Sequence, residues 1–464
     1  MLFVELRFLW FFALVFGVHW ALRSSTQRKA WLLAASYAFY GAWDVDLLSL
    51  IAASTLVDFC AGRGIAGATS QGARRAWLAL SLTANLGLLG FFKYFNFFAE
   101  SAAELSRWMG LPVSNWTLAI VLPVGISFYT FQTLSYSLDI YRGKLEPRES
   151  FLDLALFVSF FPQLVAGPIV RAVQFLPQLA EPRRWDAHVR ARVALVTIAS
   201  GFFKKAVLSD HLAPVVDQVY ADPAAFDAVS TWLAATLFHL QLYLDFSGYS
   251  EMAIGLAGLL GYQLPRNFDA PYLARSVTAF WRRWHITLGA WFSQYLYLPL
   301  GGSREGSART YRNLLVVFLV SGLWHGANWT FVVWGLIHGL AVVAERTAPG
   351  AVLTRLPRPL ALLYVNLVYL FSLVFFRSES IESAGTTLGH MLGGAGTASS
   401  HADQGMWWVA AAFFVGHACV ARYGLLERAA SVPPRAFAVG LGVVTALMLP
   451  WVSTAPAPFL YFQF

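Results

Sequence analysis

The chain has 464 residues, 58% of them hydrophobic and 12% charged, with a mean hydropathy of +0.56 and a formal net charge of +8. Soluble domains carry roughly 25% charged residues, so this composition excludes a water-soluble globule and calls for lipid around most of the surface. The basic surplus needs no nucleic acid to explain it, because arginine-rich cytoplasmic loops produce it as a by-product of membrane topology, and nucleic-acid binding is set aside.

The first apolar run, Phe8 to Leu22, is preceded only by Glu5 and Arg7 and followed by Arg23, Arg28 and Lys29. That pattern predicts a retained first helix rather than a cleaved leader, with the N-terminus outside. Loop charges then alternate. Asp44–Asp46 reads as outside, Arg63, Arg74 and Arg75 as inside, Glu100–Trp116 as outside and Arg142–Arg148 as inside. Further on, Arg183–Arg192 reads as inside, Asp217–Asp227 as outside, Arg266–Arg283 and Arg346–Arg358 as inside, Glu379–Gln404 as outside, Arg422–Arg435 as inside and Phe464 as outside. About 10 to 12 apolar segments approach the roughly 17 to 25 residues of a span, with Leu32–Trp43 and Leu47–Phe59 shorter. The predicted fold class is an all-α polytopic membrane protein. No soluble domain interrupts it, so residues 1–464 read as one membrane domain. Within it, 146–192 and 266–312 are cytoplasmic or re-entrant elements, and 313–345 is a hairpin carrying a candidate histidine.

Phe157–Arg171 holds two prolines and a glycine between cytoplasmic-looking loops, and Ile286–Gly302 has no formal charge and ends in Pro299, Gly301 and Gly302. Both predict broken segments, which a bilayer tolerates only where they pack on protein or line a cavity. Cys60 and Cys419 sit in apolar runs with neither disulfide nor ligand spacing, so no metal is expected.

Of ten histidines, His19, His188, His211, His239, His390, His401 and His417 read as structural or solvated. Three lie in richer surroundings: His285 after Trp281-Arg-Arg-Trp284, His325 after Ser321-Gly-Leu-Trp324, and His338 after Trp334-Gly-Leu-Ile. The run from Leu314 to His325 reaches about mid-bilayer at 1.5 Å per residue, and Gly326 and Asn328 break it there. An imidazole at that depth is a functional candidate by default. A neutral ring can take a hydroxyl proton and return it to a leaving group, which suits acyl transfer. Spacing leaves His325, His285 and His338 all open, with His325 first. One continuous helix would turn His338 away from His325.

Other polar groups stand in apolar runs: Gln132, Tyr129, Asp139, Asp245, Tyr249, Glu251, Asn328 and the pair Lys204 and Lys205. Asp245 could orient a ring or bind an acceptor, though membrane carboxylates also pair with cations. Asn328 could orient His325. The two lysines read as snorkelling residues near the cytoplasmic face rather than a phosphate clamp.

Several stretches in order carry a resemblance: Ala34–Val45, Leu122-Pro-Val-Gly-Ile-Ser-Phe-Tyr-Thr-Phe-Gln132 within Leu122–Gly143, Phe161–Pro168, and Tyr243-Leu-Asp-Phe-Ser-Gly-Tyr249 within Tyr243–Glu251. Trp281–His285, Trp324–Gly326, Phe375–Arg377 and Phe459–Phe464 complete the set. Together they resemble the membrane-bound O-acyltransferase (MBOAT) family, in the branch of the alginate O-acetylation membrane subunit and the D-alanyl-lipoteichoic-acid transfer protein. The resemblance implies a ring of helices around a thin centre. His325 would be the catalytic base and His285 a second site histidine; beside them, the candidate substrate-binding residues of this sequence are Asp245, Tyr249, Asn328, Gln132 and Trp324. It implies no bound cofactor. An acyl thioester, acetyl-coenzyme A or an acylated carrier protein, would donate its acyl group to a polysaccharide or envelope-polymer hydroxyl, directly or through a periplasmic acetyltransferase or export partner, at a bacterial inner membrane. A transporter would show duplicated halves, which this sequence does not. An anchoring subunit would need neither His325 nor His285.

Overall fold

The computed structural model describes residues 1–113, 116–148, 150–164, 167–394, 396–399, 403–452 and 457–462. Val165, Ala166, His401 and Phe464 lie outside the described residues. Helices dominate, and among the described residues the sole β feature is an isolated bridge between Phe226 and Ala398. Among those residues, four helical stretches are long and apolar enough to cross a membrane, namely Leu48–Gly67, Gln71–Trp108, Arg358–Arg377 and Pro434–Trp451. Two bent pairs, Trp329–Ala344 with Pro349–Arg355 and Gly405–Tyr423 with Leu425–Ser431, raise this to six if each is one span. Other helices, α13 of 32 residues among them (Ala228–Leu259), are long enough to span but are not apolar enough to count by composition.

The chain falls into two compact units. The first comprises residues 1–189 and 257–264. Its helices are α1 (Leu6–Ala21), α2 (Ser25–Gly41), α3 (Leu48–Gly67), α4 (Gln71–Leu89), α5 (Phe95–Trp108), α6 (Ile126–Tyr141), α7 (Phe151–Ser159), α8 (Phe161–Leu164), α9 (Ala172–Ala180) and α10 (Trp185–His188). Helix α6 is buried nearly all round, which is how a helix without a solvated stripe must sit. Polar groups in this core are paired with one another. The Asp58 carboxylate accepts hydrogen bonds from Ser81, from Ser137 at 2.6 Å and from Asn85 Nδ2 at 2.7 Å. Lys29 meets Asp153 at 2.7 Å. The predicted break near Pro162 is present: α7 ends at Ser159, α8 lasts one turn, and Leu154 through Leu164 are buried throughout.

The second unit comprises residues 190–256 and 265–464. It contains α11 (Ala191–Phe202), α12 (Asp210–Ala221), α13 (Ala228–Leu259, whose final turn counts with the first unit), α14 (Val277–Trp281), α15 (Ile286–Phe292), α16 (Ser307–His325) and α17 (Trp329–Ala344). After these come α18 (Arg358–Arg377), α19 (Ile381–Met391), α20 (Asp403–Tyr423), α21 (Leu425–Ser431) and α22 (Pro434–Met448). The expected break within Ile286–Gly302 is also seen, since α15 ends at Phe292 and passes into a π-helical turn at Ser293–Tyr297 and then into turns. Helices α16 and α17 form a tight hairpin. A Cβ built on Gly335 would collide with the Phe318 carbonyl oxygen, and one on Gly322 with that of Phe331. Only glycine lets the two backbones approach so closely.

Candidate active site

Helix α16 ends at His325 because Gly326 is extended (φ −156°, ψ 146°) and Asn328 caps the next helix, its Oδ1 accepting the Thr330 N–H at 3.0 Å. The Asn328 amide donates to the Glu379 carbonyl at 2.8 Å. Asn328 therefore shapes the turn below His325 through backbone contacts, and both ends of its side chain are occupied by them rather than turned to the imidazole.

His285 starts α15 from a left-handed conformation, φ 43° and ψ 52°. It is one of two non-glycine residues with positive φ among those described, the other being Ala270. Such positions cost energy and persist where surroundings enforce them. Here Asn267 does so: its carbonyl accepts the Ile286 N–H at 2.9 Å and its Oδ1 accepts the Thr287 hydroxyl at 2.9 Å. The His285 Nδ1 accepts the Leu288 N–H at 3.3 Å, so the neutral ring carries its proton on Nε2. That Nε2 is buried and has no hydrogen-bond partner among the described residues.

The start of α14, which leads into His285, is held by a residue that local pattern does not single out. The buried Glu345, just past α17, accepts the Val277 N–H at 2.5 Å, the Thr278 N–H at 2.9 Å and the Thr278 hydroxyl at 2.7 Å. A carboxylate at a helix N-terminus meets unpaired N–H groups and the positive end of the dipole.

The two histidines share neighbours. The Trp324 indole lies edge-on to both, with ring centroids 6.0 Å from His285 and 4.9 Å from His325. A second path runs through Phe246, 4.6 Å from His285 and 4.6 Å from Tyr461, which in turn lies 5.4 Å from His325. Trp334 and Phe376 close the remaining sides of His325 at 5.0 and 5.5 Å. Both imidazoles are buried, at 1% and 3% exposure.

His338 is nearer than one continuous helix would place it. The break at 326–328 folds α17 back, so Trp334 stands between the two rings, 5.0 Å from each. His338 has a separate partner, with Nε2 2.8 Å from the Ser372 Oγ. Gln132 belongs to the first unit, buried on α6. Of the remaining histidines, His239 packs against Tyr272 at 4.4 Å, His417 against Tyr243 at 5.2 Å, and His390 lies 3.1 Å from the Phe226 carbonyl.

Asp245 does not face a ring nitrogen or an open site. Lys205 Nζ lies 2.7 Å from Asp245 and 2.7 Å from Asp210, with all three side chains buried. The neighbouring Lys204 pairs with Glu251, which also accepts from Ser200 at 2.8 Å. Both lysines, expected to reach for the membrane surface, are held in ion pairs instead: the π-helical turn Phe203–Ser209 carries both of them, and carboxylates on α13 and at position 210 are their partners. The other oxygen of Asp245 accepts the Leu460 N–H at 2.8 Å, while Lys205 donates to the Ala457 carbonyl at 3.0 Å. This cluster fastens residues 457–461. Phe459 then packs on Tyr249 at 4.7 Å, and Tyr461 reaches His325. The Phe459–Phe464 stretch is visible as a motif, but the place of its Tyr461 beside His325 has no local signal.

Residues 144–357 match the family model for membrane-bound O-acyltransferases. The chain is 35% identical over its whole length to the whole of a probable alginate O-acetylase of Pseudomonas putida. It is 40% identical to one of Azotobacter vinelandii, over 83% of this chain and 76% of that protein. It is also 38% identical to a peptidoglycan O-acetyltransferase of Helicobacter pylori, over 81% of this chain and 76% of that protein. Identity of this depth, with the family match spanning the His285 and His325 elements, shows that the chain belongs to the membrane-bound O-acyltransferase family and is an O-acyltransferase of the membrane.

Proposed function

We propose that the protein moves an acetyl group from a cytoplasmic thioester donor to a hydroxyl of an exopolysaccharide or another cell-envelope polymer, directly or through a periplasmic acetyltransferase partner. The observation that carries this reading is the pair of buried imidazoles on either side of Trp324, one ending α16 and one opening α15 from a strained turn. His325 acts as general base. It removes the acceptor hydroxyl proton as the oxygen–carbonyl bond forms, and returns that proton to sulfur as the carbon–sulfur bond breaks. His285 offers the opposite function. With Nδ1 committed to Leu288, its Nε2–H is a donor available to the carbonyl oxygen as negative charge grows there.

The donor is acetyl-coenzyme A or an acylated carrier protein, and no resident cofactor enters the chemistry. The protein sits in a bacterial inner membrane with both termini outside, following the alternation of loop charge. Acetyl is favoured over D-alanyl because the relatives that overlap most of this chain are named for O-acetylation.

The test is to reconstitute the protein in vesicles, supply thioesters carrying a labelled acetyl or D-alanyl group, and follow the label to an external hydroxyl in wild type and His325→Ala. Loss of about 10²- to 10⁴-fold is expected for removal of a general base. Undiminished transfer by the variant would overturn the assignment of His325, and label moving only from the D-alanyl donor would overturn the acetyl assignment.

A further inference from the structure

The corner between α1 and α2, within the first unit, holds a cavity of about 370 Å³ lined by Trp20, Arg28, Arg183, Arg184, Trp185 and Asp186. It takes no part in the proton transfers proposed for His325, and only its soluble-donor arm rests on that reading. The two indoles meet edge to face at 5.4 Å and form an apolar wall. Against it stand three guanidinium groups. Arg28 stacks on Trp20 at 5.0 Å and donates to the carbonyls of Leu22 at 2.7 Å and Arg183 at 2.6 Å. Among the described residues it has no carboxylate within ion-pair distance, and its Nη2 has no hydrogen-bond partner. Arg183 is buried and fixed by the Glu181 carboxylate at 3.0 Å and by the Tyr262 ring. Arg184 is exposed and turned to the equally exposed Asp186 at 2.8 Å. That hydrogen bond holds the Asp186 carboxyl below its usual range, so it stays ionised as an internal occupant of the arginine fork.

A rigid tryptophan wall, a stacked guanidinium without a counter-charge and a second guanidinium held by a displaceable aspartate are the parts of an oxyanion site. Arginine forks match the paired oxygens of a phosphate. The charge pattern puts Arg23, Arg28, Lys29 and the Arg183–Arg192 loop on one face, at the depth where tryptophans collect and where basic pockets between helices take anionic headgroups. We propose that this corner binds a phosphate ester at the cytoplasmic surface of the bilayer, with Arg28 and Arg184 as its ligands, Arg183 as their support and Asp186 as the group displaced. A lipid headgroup and a soluble nucleotide donor both present that chemistry.

The experiment uses the purified, delipidated full chain. Retention of phosphatidylglycerol against phosphatidylcholine is read by native mass spectrometry, with adenosine bisphosphate added as a soluble competitor. Wild type should retain phosphatidylglycerol preferentially. Arg28→Gln and Arg184→Gln should each weaken that retention about fivefold, whereas Asp186→Asn should strengthen it. The Arg184 side chain is exposed, so its variant tests the site even if Arg28→Gln disturbs the α1–α2 turn. Competition by the bisphosphate assigns the phosphate to a soluble donor, and its failure to compete assigns it to lipid. If neither probe distinguishes Arg184→Gln and Asp186→Asn from wild type at unchanged melting temperature, the proposal is overturned.

Discussion

Asp245 and Leu460, 215 residues apart in the chain, are joined by a main-chain N–H donated to a buried carboxylate oxygen at 2.8 Å. The same carboxylate faces Lys205, which is shared with Asp210. A structural motif in the middle of α13 thus fixes the position of residues 457–461, and through Tyr461 it forms one side of the His325 pocket. Breaking a buried charge pair by removing one partner costs about 3 to 5 kcal/mol. Asp245→Leu should therefore lower the melting temperature, and carboxypeptidase should remove residues beyond 457 faster than in wild type. Equal protection of the tail in the variant would show that the anchor lies elsewhere.

His285 serves as helix cap and proposed donor at once, and the two can be separated. Asparagine tolerates the left-handed region and caps helices well, so His285→Asn should keep the melting temperature near that of wild type. Acyl transfer should fall by about 10²- to 10³-fold, the usual effect of losing one donor to a developing oxyanion. A variant with full activity would make His285 a structural cap alone.

Glu345 is a positioning residue in this scheme. Glu345→Gln keeps one acceptor and loses the charge that meets the start of α14, at a cost of about 1 to 3 kcal/mol. If its role runs through the Trp281–His285 segment, kcat should fall while KM for the acyl donor stays nearly constant. A change in melting temperature without a change in kcat would confine Glu345 to stability.

Gly335→Ala drives a methyl group into the Phe318 carbonyl oxygen. Overpacking of this kind costs about 1 to 3 kcal/mol. The α16–α17 hairpin should spread, lowering both the unfolding temperature and the transfer rate. Gly440→Ala, whose added Cβ meets nothing within 4 Å, is the control and should change neither.

Much of this was legible because it is local. The Gly326–Asn328 break follows from residue types that end and restart helices, and α16 does stop at His325. The breaks around Pro162 and after Ile286 follow from proline, glycine and length, and they too are present. What stayed hidden depended on partners distant in sequence. Lys205 reads as a snorkelling residue until Asp210 and Asp245 are brought to it. Asn328 reads as an orienting group until its amide is seen to be taken by Glu379. The hairpin over 313–345 was legible, but not that it would set Trp334 between the imidazoles of His325 and His338. Glu345 carries no periodic or spacing signal at all, since its role exists only once α17 has folded back against α14.

The fastening of residues 457–461 also sets an order of assembly. Helices α13, α15, α16 and α17, with both candidate histidines, are synthesised and can enter the bilayer while Tyr461 has yet to be made. During that interval His325 lacks one of its walls. An unfinished chain would thus possess the imidazoles without the enclosure, and the proposed transfer centre would come into being only when the tail docks, as a late act of biogenesis.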